Sequence, residues 1–219
     1  MGKAGGVQDD PQIPTVIDYR LEIEREIGRA MSLQVAYIGS HGYHDTLHAD
    51  ANLAVPTICS VVLGNCPSGL PDGTKYFPAG VPRRNPQLGS ITYTYTSSFS
   101  RYNGLAVDLN RRFQGGLAFR ANYTFAKSMD NASAISSGSA IGETNQVMDN
   151  YDRRRDYALS AFDVRNRFSL SSSYELPLGS GKPFLSGLKG GADKLVSGWQ
   201  FNAVVSLQDG LPFYSATRI

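Results

Sequence analysis

A long β-hairpin is encoded on both sides of the glycine pair Gly115-Gly116. Apolar residues alternate without a break over residues 117–126 after the pair and over residues 105–109 before it, and a period of two gives a strand one apolar and one polar face. The glycine pair marks the turn. Each arm is longer than the roughly 5 to 6 residues usual in soluble proteins. The apolar positions are Leu105, Val107, Leu109, Leu117, Phe119, Ala121, Tyr123 and Phe125.

The same alternation recurs along the chain and predicts an all-β fold. We expect about six long strands, near residues 15–27, 30–39, 90–113, 117–126, 163–176 and 199–208. In the third of these, Gly104 is expected to mark a bulge. Consecutive strands joined in this way form an antiparallel up-and-down meander. The favoured architecture is a sector of a large transmembrane β-barrel, which would occupy residues 15–219, with residues 1–14 disordered or forming the start of a loop.

The connections support a membrane barrel over other all-β folds. Residues 40–89 and 127–162 lack periodicity and are rich in turn-forming residues, so we expect two long loops there. In a meander both would emerge at one end and the tight turns at the other, as in outer-membrane barrels. No apolar run approaches the roughly 20 residues of a membrane helix, but strands cross with about 9 to 11.

Alternation alone does not reveal what covers the apolar face. In a barrel, Leu105, Val107, Leu109, Phe201 and Val205 would face lipid. The alternative is a soluble or cell-surface β-sandwich that acts as a binding or adhesion module, in which a second sheet would bury these residues. Shorter strands would be expected in that case.

Charged and polar residues on the other face are candidates for contact with a ligand or with a domain inside the barrel. We expect Arg165 and Arg167, at the start of the fifth strand, to point into the lumen and to pair with carboxylates such as Asp108 or with a plug domain; ligand capture is the alternative. The candidate contact residues are Arg20, Asp108, Arg120, Asn122, Arg165 and Arg167.

Several function classes are disfavoured. The 21 Lys and Arg residues nearly balance 19 Asp and Glu residues, so nothing indicates nucleic acid as a partner. No nucleophile elbow, phosphate loop or HExxH motif is present, so we expect neither catalysis nor a cofactor. His41, His44 and His48 lie close in sequence, but solvated loop histidines are the favoured interpretation over a metal site.

The two cysteines predict a disulfide. Cys59 and Cys66 have six residues between them within a segment rich in Pro and Gly. Such spacing suits a small disulfide-closed loop in an oxidising compartment, while two free thiols are the alternative.

Nearly the whole chain from residue 15 resembles the barrel of Oar-like TonB-dependent receptors. The resemblance is carried by YNGL, NYTFAKSMDN, FDVRNRF, YELPLG and GWQ, in this order. It implies a bacterial outer-membrane receptor that takes up a ligand of unknown identity with energy passed through TonB. Members of that group usually carry a carboxypeptidase regulatory-like domain ahead of the plug.

The resemblance also implies that much of the receptor lies outside this chain. No plug, TonB box or signal peptide is recognisable, and such receptors have about 22 strands, so the plug and the remaining barrel strands would be missing partners. Outer-membrane barrels need at least about eight strands to close. We therefore expect an internal barrel fragment that does not function alone.

Overall fold

The computed structural model describes residues 4–133, 147 and 149–212. The described chain contains ten strands, one 3-10 turn at Arg153–Asp156 and one short helix, α1 (Gly191–Val196). Among these residues, no helix has the length and apolar character needed to cross a membrane. The strands are β1 (Ala4–Val7), β2 (Thr15–Ile27), β3 (Met31–Asp50), β4 (Thr57–Ile58), β5 (Lys75–Tyr76), β6 (Ile91–Gln114), β7 (Leu117–Asp130), β8 (Ala158–Leu159), β9 (Asn166–Glu175) and β10 (Gln200–Gln208).

Six long strands form one antiparallel meander, which confirms the predicted fold class. Their order across the sheet is β2, β3, β6, β7, β9 and β10, so every long strand pairs with its neighbour in the chain. Two short strands add to this sheet: β1 pairs with β6 in parallel, and β8 pairs with β7. The remaining pair, β4 and β5, forms a separate hairpin.

The two ends of the sheet differ in their connections. At the turn end, β2 and β3 are joined through Gly28, which has a φ of 66°, and β6 and β7 are joined through Gly115 and Gly116, with φ of 64° and 84°. Positive φ at both central positions is what a type I′ hairpin turn requires, and glycine adopts it without steric cost. At the loop end, long segments connect β3 to β6 and β7 to β9.

The apolar face of the sheet is uncovered except near the loop end. Leu21, Ile23 and Phe201 are 69%, 70% and 62% exposed, and Leu105 and Phe125 are exposed as well. Among the described residues, no second sheet packs on this face. A β-sandwich needs that second layer to bury its apolar side chains. The structure therefore does not support the sandwich alternative.

Strand β3 continues well beyond its predicted end. We expected the strand to end at residue 39 and a loop to occupy residues 40–89, but β3 pairs with β6 as far as Asp50. The register shifts between Tyr43 and Thr46, and His44 has a φ of 60°. Such a bulge interrupts the alternation of faces, so the period of two is lost from the sequence although the pairing continues.

A second difference lies near the start of the chain, where a loop or disorder was predicted. Strand β6 extends past Ser100, the last residue that pairs with β7, and so exposes unpaired backbone groups. Strand β1 satisfies these groups from Ile91 to Thr94. Its four residues, Ala-Gly-Gly-Val, are too few to show a period.

The predicted bulge at Gly104 is wrong, because the strand register is regular there on both sides of β6.

Candidate functional site: the polar face of the sheet

Polar side chains form continuous rows across the face opposite the apolar one. One row crosses five strands through Glu24, Gln34, Asp108, Asn122 and Ser169. The rows exist because paired residues in an antiparallel sheet project on the same side. The candidate contact residues that belong to the strands lie on this polar face.

An ion pair lies at the centre of the polar face. Asp108 is only 8% exposed, and its Oδ2 accepts a hydrogen bond of 2.8 Å from Nε of Arg120. The Asn122 amide also donates to Oδ2, at 3.4 Å. Small side chains at Ala36 and Ala106 leave a shallow depression beside this cluster. The Arg120 side chain remains mostly exposed, so it can contact a group inside the barrel while it pairs with Asp108.

The other candidate residues do not bond to Asp108. Arg20 lines the same depression but pairs with Glu22 on its own strand, at 2.5 Å. Arg167 lies on β9 opposite Thr124, one row nearer the loop end than Asp108. Arg165 precedes β9, and its carbonyl accepts a hydrogen bond from the Ala126 amide. The expected pairing of Asp108 with Arg165 or Arg167 is wrong, because Arg120 holds the carboxylate.

A second polar cluster at the loop end was not predicted from the sequence. The Asp50 carboxylate accepts hydrogen bonds from the amides of Asn52 and Ile91, both at 2.9 Å, and pairs with Arg83 at 2.7 Å. Burial raises the pKa of Asp50, but the hydrogen bonds from Ile91, Arg83 and Asn52 outweigh it and lower the pKa to about 2. Asp50 therefore fixes both ends of the long loop that it begins.

The Asn52 side chain joins the start of the same loop to its last residues before β6. Its side chain is 2% exposed; the amide nitrogen donates to the carbonyls of Asn85, Leu88 and Gly89, and Oδ1 accepts from the Asn85 amide. Asx residues that bond nearby backbone are a recognised turn signal, and the Asp-Ala-Asn sequence after β3 carries it. The sequence does not reveal this role by itself, because the predicted strand ends at residue 39, whereas β3 ends at Asp50.

The second long loop folds back over the extended part of β3 and β6. The Arg153 guanidinium lies 4.1 Å from the centre of the Tyr95 ring and bonds the Ser97 hydroxyl. Tyr157 packs on Phe99, with ring centroids 5.1 Å apart. Residues 134–146 and 148 of the predicted loop 127–162 lie outside the described residues. The described part covers the same face of β6 that is bare and apolar farther down.

Cys59 and Cys66 are joined in a disulfide within the first long loop, with Cα atoms 4.6 Å apart. Cys59 is buried, and the bond closes a segment beside the β4–β5 hairpin. The intervening Val61, Val62 and Leu63 are exposed.

The three histidines occupy different environments. His41 lies opposite Arg101 on the face that carries the apolar residues, whereas Nδ1 of His48 contacts the Thr94 hydroxyl at 3.1 Å. The His44 ring packs edge-on against Tyr43. No group of three or more His, Cys, Asp or Glu side chains that could hold a metal occurs among the described residues.

The comparison with protein families decides what the bare apolar face means. A family model described as "Outer membrane beta barrel domain" matches residues 2–218. The chain belongs to the outer membrane β-barrel domain family. Neither the curated proteins nor the solved structures contain a match to it. For an outer membrane β-barrel domain, the apolar face meets lipid and the polar face lines the lumen. Membership of this family supports a location of the chain in the bacterial outer membrane.

The exposed apolar residues of the sheet, such as Leu21, Leu105 and Phe125, form an apolar band that faces lipid. Hydrogen bonds between polar side chains border this apolar band on the side of the loop end. The Tyr37 hydroxyl donates to Asn103 and the Tyr123 hydroxyl donates to Asn166, both at 2.7 Å. In each of these hydrogen bonds, the ring lies in the apolar band and the hydroxyl points toward the loop end. Tyrosine prefers this arrangement at a membrane–water boundary.

Proposed function

We propose that this outer membrane β-barrel domain is a sector of a TonB-dependent receptor, which takes up a ligand across the outer membrane using energy passed through TonB. The resemblance of the chain to Oar-like receptors supports this proposal. Such a role is transport rather than catalysis.

The observation that carries the proposal is the charged polar face of a sheet that does not close. Six long strands leave β2 and β10 each with one edge that no described strand covers. A wide barrel with a polar lumen requires an internal plug if it is not to be an open channel. Arg120 and Arg167 would offer guanidinium groups to a plug or to an anionic group of the ligand.

Uptake by the host bacterium tests the proposal. The gene that encodes this chain is deleted, and uptake of iron chelates, saccharides and peptides is measured with and without a protonophore. We expect loss of one uptake activity that the protonophore also abolishes in the parent strain. Loss of a permeability that is insensitive to the protonophore would contradict the proposal and indicate a passive pore.

The contribution of the polar face is tested by complementation. We expect the paired substitution Arg120→Gln and Arg167→Gln to reduce uptake by the complemented strain severalfold at equal protein level. Lys189→Gln with Lys194→Gln removes the same charge from an exposed segment at the turn end and serves as the matched control. Equal uptake by the two double variants would show that Arg120 and Arg167 on the polar face do not contribute to uptake.

A further inference from the structure

Two cations project from the lipid-facing side of the sheet just beyond the apolar band. Arg101 on β6 and Lys127 on β7 project from the same side of the sheet as Leu105 and Phe125, and both side chains are exposed. Arg101 pairs across the sheet with Met129, and Lys127 pairs with Asn103, so the two cations are diagonal neighbours. Diagonal neighbours lie about 7 to 8 Å apart, near enough for two long side chains to reach one group.

These cations have no counter-charge in the part of the chain that the structure describes. Neither Arg101 nor Lys127 forms an ion pair with the described residues. The lipid-facing positions of β3, β6 and β7 include no acidic residue. Asp209, which follows β10 on this face, accepts a hydrogen bond of 2.6 Å from Asn166. An external anion would therefore complement this pair.

The position of the pair identifies the kind of anion. Arg101 lies one step beyond Asn103, which receives the Tyr37 hydroxyl at the boundary of the apolar band. Immediately farther along β6, the contact between Phe99 and Tyr157 begins the part of this face that protein covers. The cations thus occupy an open strip at the depth of lipid headgroups. An amphiphile seated against Leu105 and Phe125 would place its headgroup there.

The long loops of outer-membrane barrels are extracellular, so the loop end of the sheet lies at the outer leaflet. We propose that Arg101 and Lys127 bind the phosphate of a phosphorylated glycolipid in that leaflet. Guanidinium and ammonium groups form charge-assisted hydrogen bonds with phosphate oxygens. His41, which pairs with Arg101 on the same face, lies beside this site and offers an additional donor. The proposed lipid site follows from the family of the domain and from the side of the sheet on which these residues project. It does not depend on the proposed uptake role.

Binding of lipid A to the chain in micelles of a non-ionic detergent tests the site. The measurement is lipid retention by native mass spectrometry, and β-sheet circular dichroism verifies that each variant is folded. We expect Arg101→Gln with Lys127→Gln to weaken binding about tenfold or more, since two charge-assisted hydrogen bonds are lost. Arg101→Lys with Lys127→Arg keeps both charges and should retain most of the affinity.

Two controls separate the site from general charge and from free phosphate. Lys189→Gln with Lys194→Gln removes two charges outside the lipid-facing side and should bind lipid A like the parent chain. Inorganic phosphate, added at the same concentration as lipid A, should not displace lipid A from the chain. Unchanged lipid binding by the Arg101 and Lys127 double variant, equal weakening in the control, or displacement by inorganic phosphate would each overturn the proposal.

Discussion

At the residue scale, one carboxylate organises the loop end of the sheet. Asp50 is the last residue of β3, and its oxygens join the start of the following loop, the start of β6 and the Arg83 side chain. A carboxylate that accepts several hydrogen bonds while partly buried favours its charged form. The charge of Asp50 is therefore coupled to the folded state of this region.

The lowered pKa of Asp50 predicts a specific loss of stability in acid. Its folded pKa of about 2 lies below the ordinary value of 3.8, so its contribution is present above about pH 4 and is lost as the pH falls toward 2. The shift corresponds to about 2 kcal/mol. We expect amide hydrogen exchange at Ile91 to accelerate over this pH window in the parent chain, after correction for the intrinsic rate.

The Asp50→Asn variant provides the comparison. It should already exchange faster at neutral pH and should lack the additional acceleration between pH 4 and pH 2. Asp10→Asn, which alters an exposed carboxylate, should behave like the parent chain. The same corrected pH profile for the parent chain and Asp50→Asn would show that Asp50 is not the group responsible.

Asn52 provides a second prediction at this scale. Replacement by alanine leaves the Asn85 amide and three carbonyls without their partner, at a cost of about 1–3 kcal/mol for a buried unsatisfied group. We expect Asn52→Ala to increase the rate of limited proteolysis between residues 77 and 90. Gln87→Ala, at an exposed position of the same segment, should leave the rate unchanged; an equal increase would contradict this role of Asn52.

Part of the candidate site was predictable from the residues themselves. Alternation identified Asp108, Arg120 and Asn122 as polar-face residues, because a period of two fixes the side on which each residue projects. It did not identify the partner of Asp108, since that depends on which strands are adjacent and in what register. Arg120 lies on the paired strand, whereas Arg167 lies two strands away.

At the scale of the elements, strand length was predictable only where the strand has two distinct faces. β2 and β10 alternate clearly, and their predicted bounds lie within one residue of the observed ones, whereas β7 continues four residues beyond its predicted end at residue 126. The distal part of β3 contains a bulge that changes the side on which the following residues project, so sequence periodicity does not detect it. β6 has 24 residues, more than the roughly 9 to 11 needed to cross a bilayer. The excess forms a ribbon outside the membrane.

The disulfide predicts a redox-dependent property of the first long loop. Closing the segment between Cys59 and Cys66 restricts the unfolded loop, and the chain-entropy relation gives about 2.5 kcal/mol for a loop of this size. We expect reductant to accelerate thermolysin cleavage between residues 60 and 64. Cys59→Ser with Cys66→Ser should be cleaved rapidly with or without reductant. Cleavage of the parent chain at one rate in both conditions would contradict this expectation.

At the scale of the whole molecule, the open edges of the sheet limit what this chain does alone. The outer edges of β2 and β10 present backbone N–H and C=O groups to which no described strand is paired. Each such group costs several kcal/mol in hydrocarbon. Closure therefore requires strands beyond the six long ones described.

We predict that the isolated chain does not form a functional pore. Planar bilayers exposed to the refolded chain should show no discrete, reproducible conductance steps, because six strands do not close a barrel. An eight-stranded or larger outer-membrane barrel refolded in the same way is the positive control. Stable unitary conductance from the chain alone would show that it closes by itself or by association with further copies.

The exposure of alternate residues to lipid is the most direct test of the assignment to the membrane. Spin labels are placed singly at residues 105, 106, 107, 109 and 110 of β6 in a background that lacks both native cysteines. The protein is expressed in the host bacterium and measured in isolated outer membranes, where a barrel that contains this sheet can close. We predict high collision rates with oxygen and low rates with a water-soluble nickel complex at Leu105, Val107 and Leu109, and the reverse at Ala106 and Asn110. Equal water accessibility at all five positions would contradict a lipid-facing apolar side.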